Sequence, residues 1–304
     1  TRLAGEAGVR YTVIHAQRDP NLTGLAYANP EEPFINPLKE KVAETGAHLG
    51  LGMDTDADRF GVVDKGGVFF RPNQILPMLV RYLGVERELT GRVIATQTGS
   101  PLIEILAGKI PNNEENEPAE DALPAYVSHP FYKIRIGTRE DRVLEHAFLV
   151  PVGIKYIEEI RRMTRAYESQ KPLPDDWRDR ILIGGEESSG LTTRGHVTDK
   201  DGPWANLLIM DMLAYFGTRE ENPLTTISEI WEDTVKMEGL WKSYGSSPDD
   251  EPSNTGRTDV DAPLEAKEAF INYYLDLPEK EEIPKVAGME IAFLGGIRYD
   301  VAEM

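Results

Sequence analysis

Asp54, Asp56 and Asp58 alternate along the run Asp54-Thr55-Asp56-Ala57-Asp58-Arg59. Three carboxylates this close repel one another unless a cation stands among them. A hard divalent ion is the natural partner. Oxygen ligands with no His or Cys beside them favour magnesium over zinc and leave positions for water or a phosphate oxygen. Arg59 adds a positive charge beside that ion for a phosphate. The plainer reading is a solvated acidic turn with Arg59 as its ion-pair partner. An EF-hand loop wants Gly at its sixth position and Glu at its twelfth, where this chain has Arg59 and Lys65. A phosphatase of the DxDxT kind would use Asp54 as nucleophile and Asp56 as acid/base, but its fifth position here is Asp58.

A second group is Gly184-Gly185-Glu186-Glu187-Ser188-Ser189-Gly190, followed by Arg194, His196 and Lys200. Glu and Ser side chains on a glycine-rich loop accept and donate hydrogen bonds to vicinal sugar hydroxyls, although such a loop can equally be a polar turn. Gly185 and Ser188 are one residue too far apart for a GxSxG nucleophile elbow. The third group is Pro151-Val152-Gly153-Ile154-Lys155-Tyr156, where Lys155 falls in the first turn of an expected helix and can help hold an anion there. The alternative is a surface lysine on an amphipathic helix. The five histidines show no ligand spacing, and only His196 lies near another candidate.

The elements that must position these residues alternate as βα units do. Val9 to Ile14 alternates as a strand, Leu38 to Glu44 reads as a short helix, and Ala47 to Met53 is a strand delivering the chain into the acidic run. Acidic residues at the C-terminal end of a strand stand where open α/β sheets bind ligands. Phe60–Asp64 and Val68–Phe70 flank Lys65-Gly66-Gly67 as a hairpin, with a domain boundary near Gly67. Beyond it come a helix (Gln74 to Leu83), a strand (Val93 to Thr96) and a helix opened by Pro101. A strand (Ala147 to Val150), a helix (Gly153 to Tyr167), a strand (Ile181 to Gly184) and a helix (Pro203 to Phe216) follow. After Phe216 the pattern loosens. Residues 245–261 read as a linker, followed by a helix (Pro263 to Leu275) and a strand-like Met289 to Leu294.

Composition limits the partners. With 33 Lys+Arg against 52 Asp+Glu, the 304-residue chain has a net charge of −19, which repels nucleic acid and anionic lipid. A phosphorylated ligand therefore needs a local cationic site or a metal. The absence of cysteine excludes disulfides, zinc-thiolate sites and thiol nucleophiles, and suits a reducing cytoplasm. No apolar run approaches the roughly 20 residues of a membrane span, and no signal-peptide pattern opens the chain.

Taken in order, Asp54-Thr55-Asp56-Ala57-Asp58-Arg59, Gly153-Ile154-Lys155-Tyr156, Gly185-Glu186-Glu187-Ser188 and Asp199-Lys200-Asp201-Gly202-Pro203-Trp204-Ala205 resemble the α-D-phosphohexomutase superfamily. The Glu-Glu-Ser loop and the Lys-Asp-Gly-x-Trp-Ala segment are more similar to its phosphoglucomutase branch than to the phosphomannomutase or phosphoglucosamine branches. The resemblance implies repeated three-layer α/β domains with parallel-rich mixed sheets, plus part of a C-terminal α+β domain. Residues 1–66 would be the later part of the second domain, 67–220 the third, and 221–304 a linker and an incomplete fourth.

It also implies the chemistry. A phosphoryl group moves between the 1- and 6-positions of a hexose phosphate through a phosphoserine and a bisphosphorylated sugar, glucose 1,6-bisphosphate. Asp54, Asp56 and Asp58 would bind magnesium, and Arg59 the phosphate. Glu186 and Ser188 would hold sugar hydroxyls, Lys155 and Lys200 would contact substrate, and Lys200 or His196 would serve in proton transfer. Two family loops are missing from the sequence: the Thr-Ala-Ser-His-Asn-Pro loop that carries the phosphoserine and the C-terminal Arg-x-Ser-Gly-Thr-Glu-Pro phosphate clamp. The chain is therefore expected to be an internal portion of a longer mutase, inactive without its flanking domains. A non-catalytic sugar-phosphate binding protein and the DxD phosphatase are the alternatives.

Overall fold

The computed structural model describes residues 5–110 except 7, 18, 26, 97 and 101, the strands 126–129, 132–135 and 147–150, and residues 152–158, 181–197 and 199–237. The expected linker at 245–261, the helix and strand after it, and most of the helix beyond residue 158 lie outside the described residues.

The first sheet follows α1 (Asn36–Thr45) and has the order β1 (Leu49–Met53), β2 (Phe60–Asp64), β3 (Val68–Phe70). Every pair in it is antiparallel, with Met53 opposite Phe60 and Val62 opposite Phe70. The connections are too short for a parallel crossover, so hairpins are the only solution. Gly66 and Gly67 take the left-handed conformation that the β2–β3 turn needs (φ 84° and 87°). The expected boundary near Gly67 thus falls at a turn inside one sheet.

β2 is buried at every position because it has a core on each face. Val63 packs with Ile35 and Val42 beneath α1, whereas Phe60 and Val62 face the main core. That main core continues through α2 (Pro72–Val80), α3 (Leu102–Ala107), α4 (Gly202–Gly217) and α5 (Ile227–Lys236).

The second sheet has the order β7 (Ala147–Val150), β4 (Arg92–Thr96), β8 (Ile181–Gly185), β9 (Leu191–Thr193). β4 is parallel to both β7 and β8, and β9 runs back antiparallel to β8. Between β4 and β7 in sequence, β5 (Tyr126–His129) and β6 (Tyr132–Arg135) pair as an antiparallel ribbon. The parallel-rich mixed α/β sheet is as expected.

Two expectations need correction. Residues 9–14 form no strand, and Val9, Tyr11 and Val13 are exposed, because no neighbouring strand supplies the ladder that alternation alone cannot make. After Phe216 the chain does not remain loose but forms α5. Thr226 caps its N-terminus, taking the Glu229 N–H while the Glu229 side chain accepts the Thr226 N–H. Asp64, at the end of β2 and 1% exposed, accepts from the Ile227 N–H (2.9 Å), the Ser228 N–H (2.9 Å) and the Ser228 hydroxyl (2.5 Å). No helix among the described residues is long and apolar enough to cross a membrane.

Candidate functional site

Both loops that carry the candidate residues are hairpin connections. Residues 54–59 join β1 to β2, and residues 186–190 join β8 to β9.

In the first loop, Asp54 Oδ1 accepts the backbone N–H groups of Asp58 (3.1 Å) and Arg59 (3.2 Å). Ala57 takes a left-handed conformation (φ 58°) that folds the loop back on itself. The carboxylates of Asp54, Asp56 and Asp58 consequently converge, each offering an oxygen within 4.8 Å of the others. Burial pushes the Asp54 carboxyl above its usual value, more than the Arg59 N–H lowers it, and the Asp58 and Asp56 carboxylates add to the rise. Burial works in the same direction at Asp58, but hydrogen bonds and positive charge, chiefly from Lys200, outweigh it and leave Asp58 below its usual value.

The second loop closes through the Glu186 N–H, which donates to the Gly190 carbonyl (2.8 Å). Glu186 is 2% exposed and accepts the Gly153 N–H. Burial pushes its carboxyl up, only partly offset by Lys200. Ser188 is half-buried, and Ser189, in the left-handed region (φ 72°), donates its hydroxyl to Glu31 (3.2 Å). Glu187 points back to β4, where it accepts from the Thr96 hydroxyl (2.7 Å).

The two loops are fastened to each other. The Phe60 N–H donates to the Ser189 carbonyl (3.0 Å), and the Gly202 N–H, at the start of α4, donates to the Ala57 carbonyl (2.9 Å). Lys200 Nζ lies 2.6 Å from Asp58 Oδ2 and 3.8 Å from Glu186 Oε2. Arg59 Nε lies 3.6 Å from Asp54 and 3.8 Å from Asp58, too far for a hydrogen bond. Arg59 Nε and Glu186 Oε2 are both buried and make no hydrogen bond, leaving one donor and one acceptor of opposite charge unmatched at the same site. Asp54, Asp56, Asp58 and Arg59 line a pocket of about 220 Å³ together with Leu22, Tyr27 and Ala28.

The structure thus brings together Asp54, Asp56, Asp58, Arg59, Lys200 and Glu186, with Ser188 on the Glu186 loop. His196 sits beside them rather than among them. Its Nε2 lies 2.9 Å from Asp201, which also caps α4 through the Trp204 N–H (2.9 Å), and its ring stacks on Trp204 at 4.6 Å. Lys155 is exposed with its ammonium over the Tyr156 ring (4.9 Å), and its segment reaches the site through the Gly153 N–H.

Sequence reasoning missed Asp201, Gly153, Glu31 and Glu187 as supports. Asp201 was findable, since Asp before Gly-Pro at a helix start is an N-cap signature. The other three carry no local signal. The acidic loop fits a hard divalent ion. Its donors are carboxylate oxygens alone, and they already converge within 4.8 Å of one another.

Comparison with known proteins bears on the same two loops. The family models for phosphoglucomutase/phosphomannomutase, alpha/beta/alpha domains II and III, match residues 2–67 and 144–236. A phosphoglucosamine mutase of Xanthomonas oryzae pv. oryzae is 26% identical over 233 residues, which is 76% of this chain and 40% of that protein. One from Xanthomonas campestris pv. campestris is 25% identical over 203 residues, 67% of this chain and 34% of its own. The chain therefore spans about 40% or less of the length of these curated relatives. Among solved structures, a protein of Thermus thermophilus described as a candidate phosphomannomutase shares the fold. Its TM-score is 0.51 at 21% identity, over 77% of this chain and 41% of its own. Domain II holds the acidic hairpin loop, domain III holds the Glu186 loop, and the chain that joins them belongs to the α-D-phosphohexomutase superfamily.

Proposed function

We propose that this chain supplies the magnesium- and sugar-binding side of a phosphohexomutase centre. The reaction is transfer of a phosphoryl group between the 1- and 6-positions of a hexose phosphate, through a phosphoserine and a bisphosphorylated sugar such as glucose 1,6-bisphosphate. The observation that carries this reading is the unmatched pair: a buried guanidinium donor at Arg59 and a buried carboxylate acceptor at Glu186, with Lys200 near the latter. One suits a phosphate oxygen and the other a sugar hydroxyl, so a sugar phosphate satisfies both at once.

Asp54, Asp56 and Asp58 would hold the magnesium, whose charge offsets the negative charge of the phosphoryl oxygens. Arg59 donates to the same phosphate. Glu186 and Ser188 accept from and donate to the sugar hydroxyls and fix which hydroxyl faces the phosphorus. His196, oriented by Asp201, takes the proton from the attacking hydroxyl as its oxygen bonds to phosphorus and the serine oxygen leaves, whereas Lys200, an ammonium paired with Asp58, can donate to the substrate but not accept that proton. Lys155 stands at the rim for the second phosphate. The sequence contains no Thr-Ala-Ser-His-Asn-Pro loop, so the phosphoserine of this reading is assigned to no residue of this chain. Phosphoryl transfer depends on positioning and charge neutralisation more than on covalent help from many groups, and these two loops offer both. An aspartate-nucleophile phosphatase is less consistent, because Asp54 Oδ1 is engaged by two backbone N–H groups and the fifth position of a DxDxT motif is Asp58.

The test uses the gene product as it occurs in its cell. It is given magnesium, a trace of glucose 1,6-bisphosphate and the 1-phosphates of glucose, mannose or glucosamine, and phosphorus NMR follows the 6-phosphates. The expected result is magnesium-dependent conversion of at least one sugar, falling on the order of 100-fold in Asp56→Asn. Magnesium-dependent binding without any conversion would replace this reading with the non-catalytic sugar-phosphate binding protein.

A further inference from the structure

Lys200 reaches the site by crossing the Glu186–Gly190 loop. Its side chain is only 15% exposed, and its ammonium ends between Asp58 and Glu186. Gly190 lies directly under that path. A β-carbon on Gly190 would come within 2.2 Å of Lys200 Cδ, 3.0 Å of Lys200 Cγ and 2.6 Å of Glu186 Oε2. The Gly190 backbone is outside the left-handed region, so its conformation does not demand glycine. What excludes a side chain there is the lysine stem and the carboxylate. The remaining constraint on Gly190, its carbonyl accepting the Glu186 N–H at 2.8 Å, is one that any residue could meet.

We infer that Gly190 is a positioning residue: its missing side chain is the slot that seats the Lys200 stem and delivers the ammonium between the metal-binding Asp58 and the hydroxyl-binding Glu186. The roles of Asp58 and Glu186 rest on the function proposed above, whereas the slot itself rests on packing alone. Nζ is in hydrogen-bond contact with Asp58 but 3.8 Å from Glu186, so a small displacement of the stem changes which carboxylate it neutralises. An added methyl at Gly190 overlaps the stem by more than an ordinary contact allows. Lys200 must then leave the slot, and its charge leaves Asp58 without being deleted.

The experiment is a double-mutant cycle in the 304-residue chain with Gly190→Ala, Lys200→Ala and the pair, read by thermal unfolding and by calorimetric titration with magnesium chloride alone. With Lys200 present, Gly190→Ala is expected to lower Tm by about 5 °C, the usual scale for overpacking in a domain of this size. In the Lys200→Ala background the loss should be clearly smaller, because Cγ and Cδ no longer fill the slot and only the contact with Glu186 Oε2 is left. Lys200→Ala should tighten magnesium binding roughly fivefold by removing a resident cation. Gly190→Ala should tighten it in the same direction, and the double variant should add nothing to Lys200→Ala. If Gly190→Ala alone does not fold, recovery of folding in the double variant supports the slot, and failure of both to fold overturns it. Equal Tm losses in the two backgrounds overturn it as well, as does magnesium affinity that responds to Lys200→Ala but not to Gly190→Ala. Should no variant bind magnesium, the metal role of the aspartates fails while the Tm cycle still decides the slot.

Discussion

Glu186 is buried beside a single ammonium that it does not reach within hydrogen-bond distance, and its raised carboxyl value records the cost. The sign follows directly. An acid whose folded value is raised holds its proton more tightly in the folded chain than in the unfolded one. As pH rises through the ordinary carboxylate range, the unfolded chain ionises first, and stability falls until the folded group has ionised too. Asp54 acts in the same direction and Asp58 in the opposite one. Glu186→Gln should therefore be more stable than the parent at neutral pH, by about 1 kcal/mol on the scale usual for relieving a functional site. The difference should disappear below the ordinary carboxylate range. Denaturant unfolding at the two pH values checks it, and a variant less stable at neutral pH would mean that Glu186 is structural. The same substitution should abolish sugar-phosphate binding. The carboxylates were legible in the sequence because their spacing is local: three aspartates at alternate positions converge in almost any tight loop. That the Gly153 N–H meets Glu186, or the Ser189 hydroxyl meets Glu31, was not legible, since each contact joins segments that only the folded chain brings together.

At the scale of elements, the acidic loop depends on what β2 does at its far end. β2 leaves the loop at Phe60 and finishes at Asp64, whose carboxylate caps α5 with two backbone N–H groups and the Ser228 hydroxyl. Asp64→Ala removes a buried acceptor and orphans those donors, and it should cost about 2–4 kcal/mol. Chemical denaturation measures the loss, and a cost under about 0.5 kcal/mol, typical of surface changes, would show that α5 holds without this cap. Sequence periodicity located α1, the β2–β3 hairpin, β4, β8 and α4 because each pairs an apolar pattern with a clear stop. It failed at residues 9–14, where alternation had no neighbouring strand to act on. It also passed over α5, although Thr226 with Glu229 is a capping box and Ile227, Ile230, Trp231 and Thr234 recur at helical spacing.

On the scale of the whole molecule, a chain of net charge −19 sets two cations against its acidic loop. Arg59 and Lys200 both face the acidic loop, fastened there by the Ser189–Phe60 and Ala57–Gly202 backbone bonds that tie β2 to the second sheet and to α4. The function proposed above rests on one claim, that Asp54, Asp56 and Asp58, whose carboxylate oxygens converge, form a divalent-cation site. Calorimetric titration of the chain with magnesium, compared with Asp56→Asn, tests it most directly. Asp56 is the most exposed of the three and pairs with neither Lys200 nor Arg59 among the ion pairs of the described residues, so its loss should leave the fold intact. The account predicts one magnesium ion per chain, with affinity falling by about tenfold or more in the variant. Equal affinity in the two proteins, or no saturable binding in either, would contradict it.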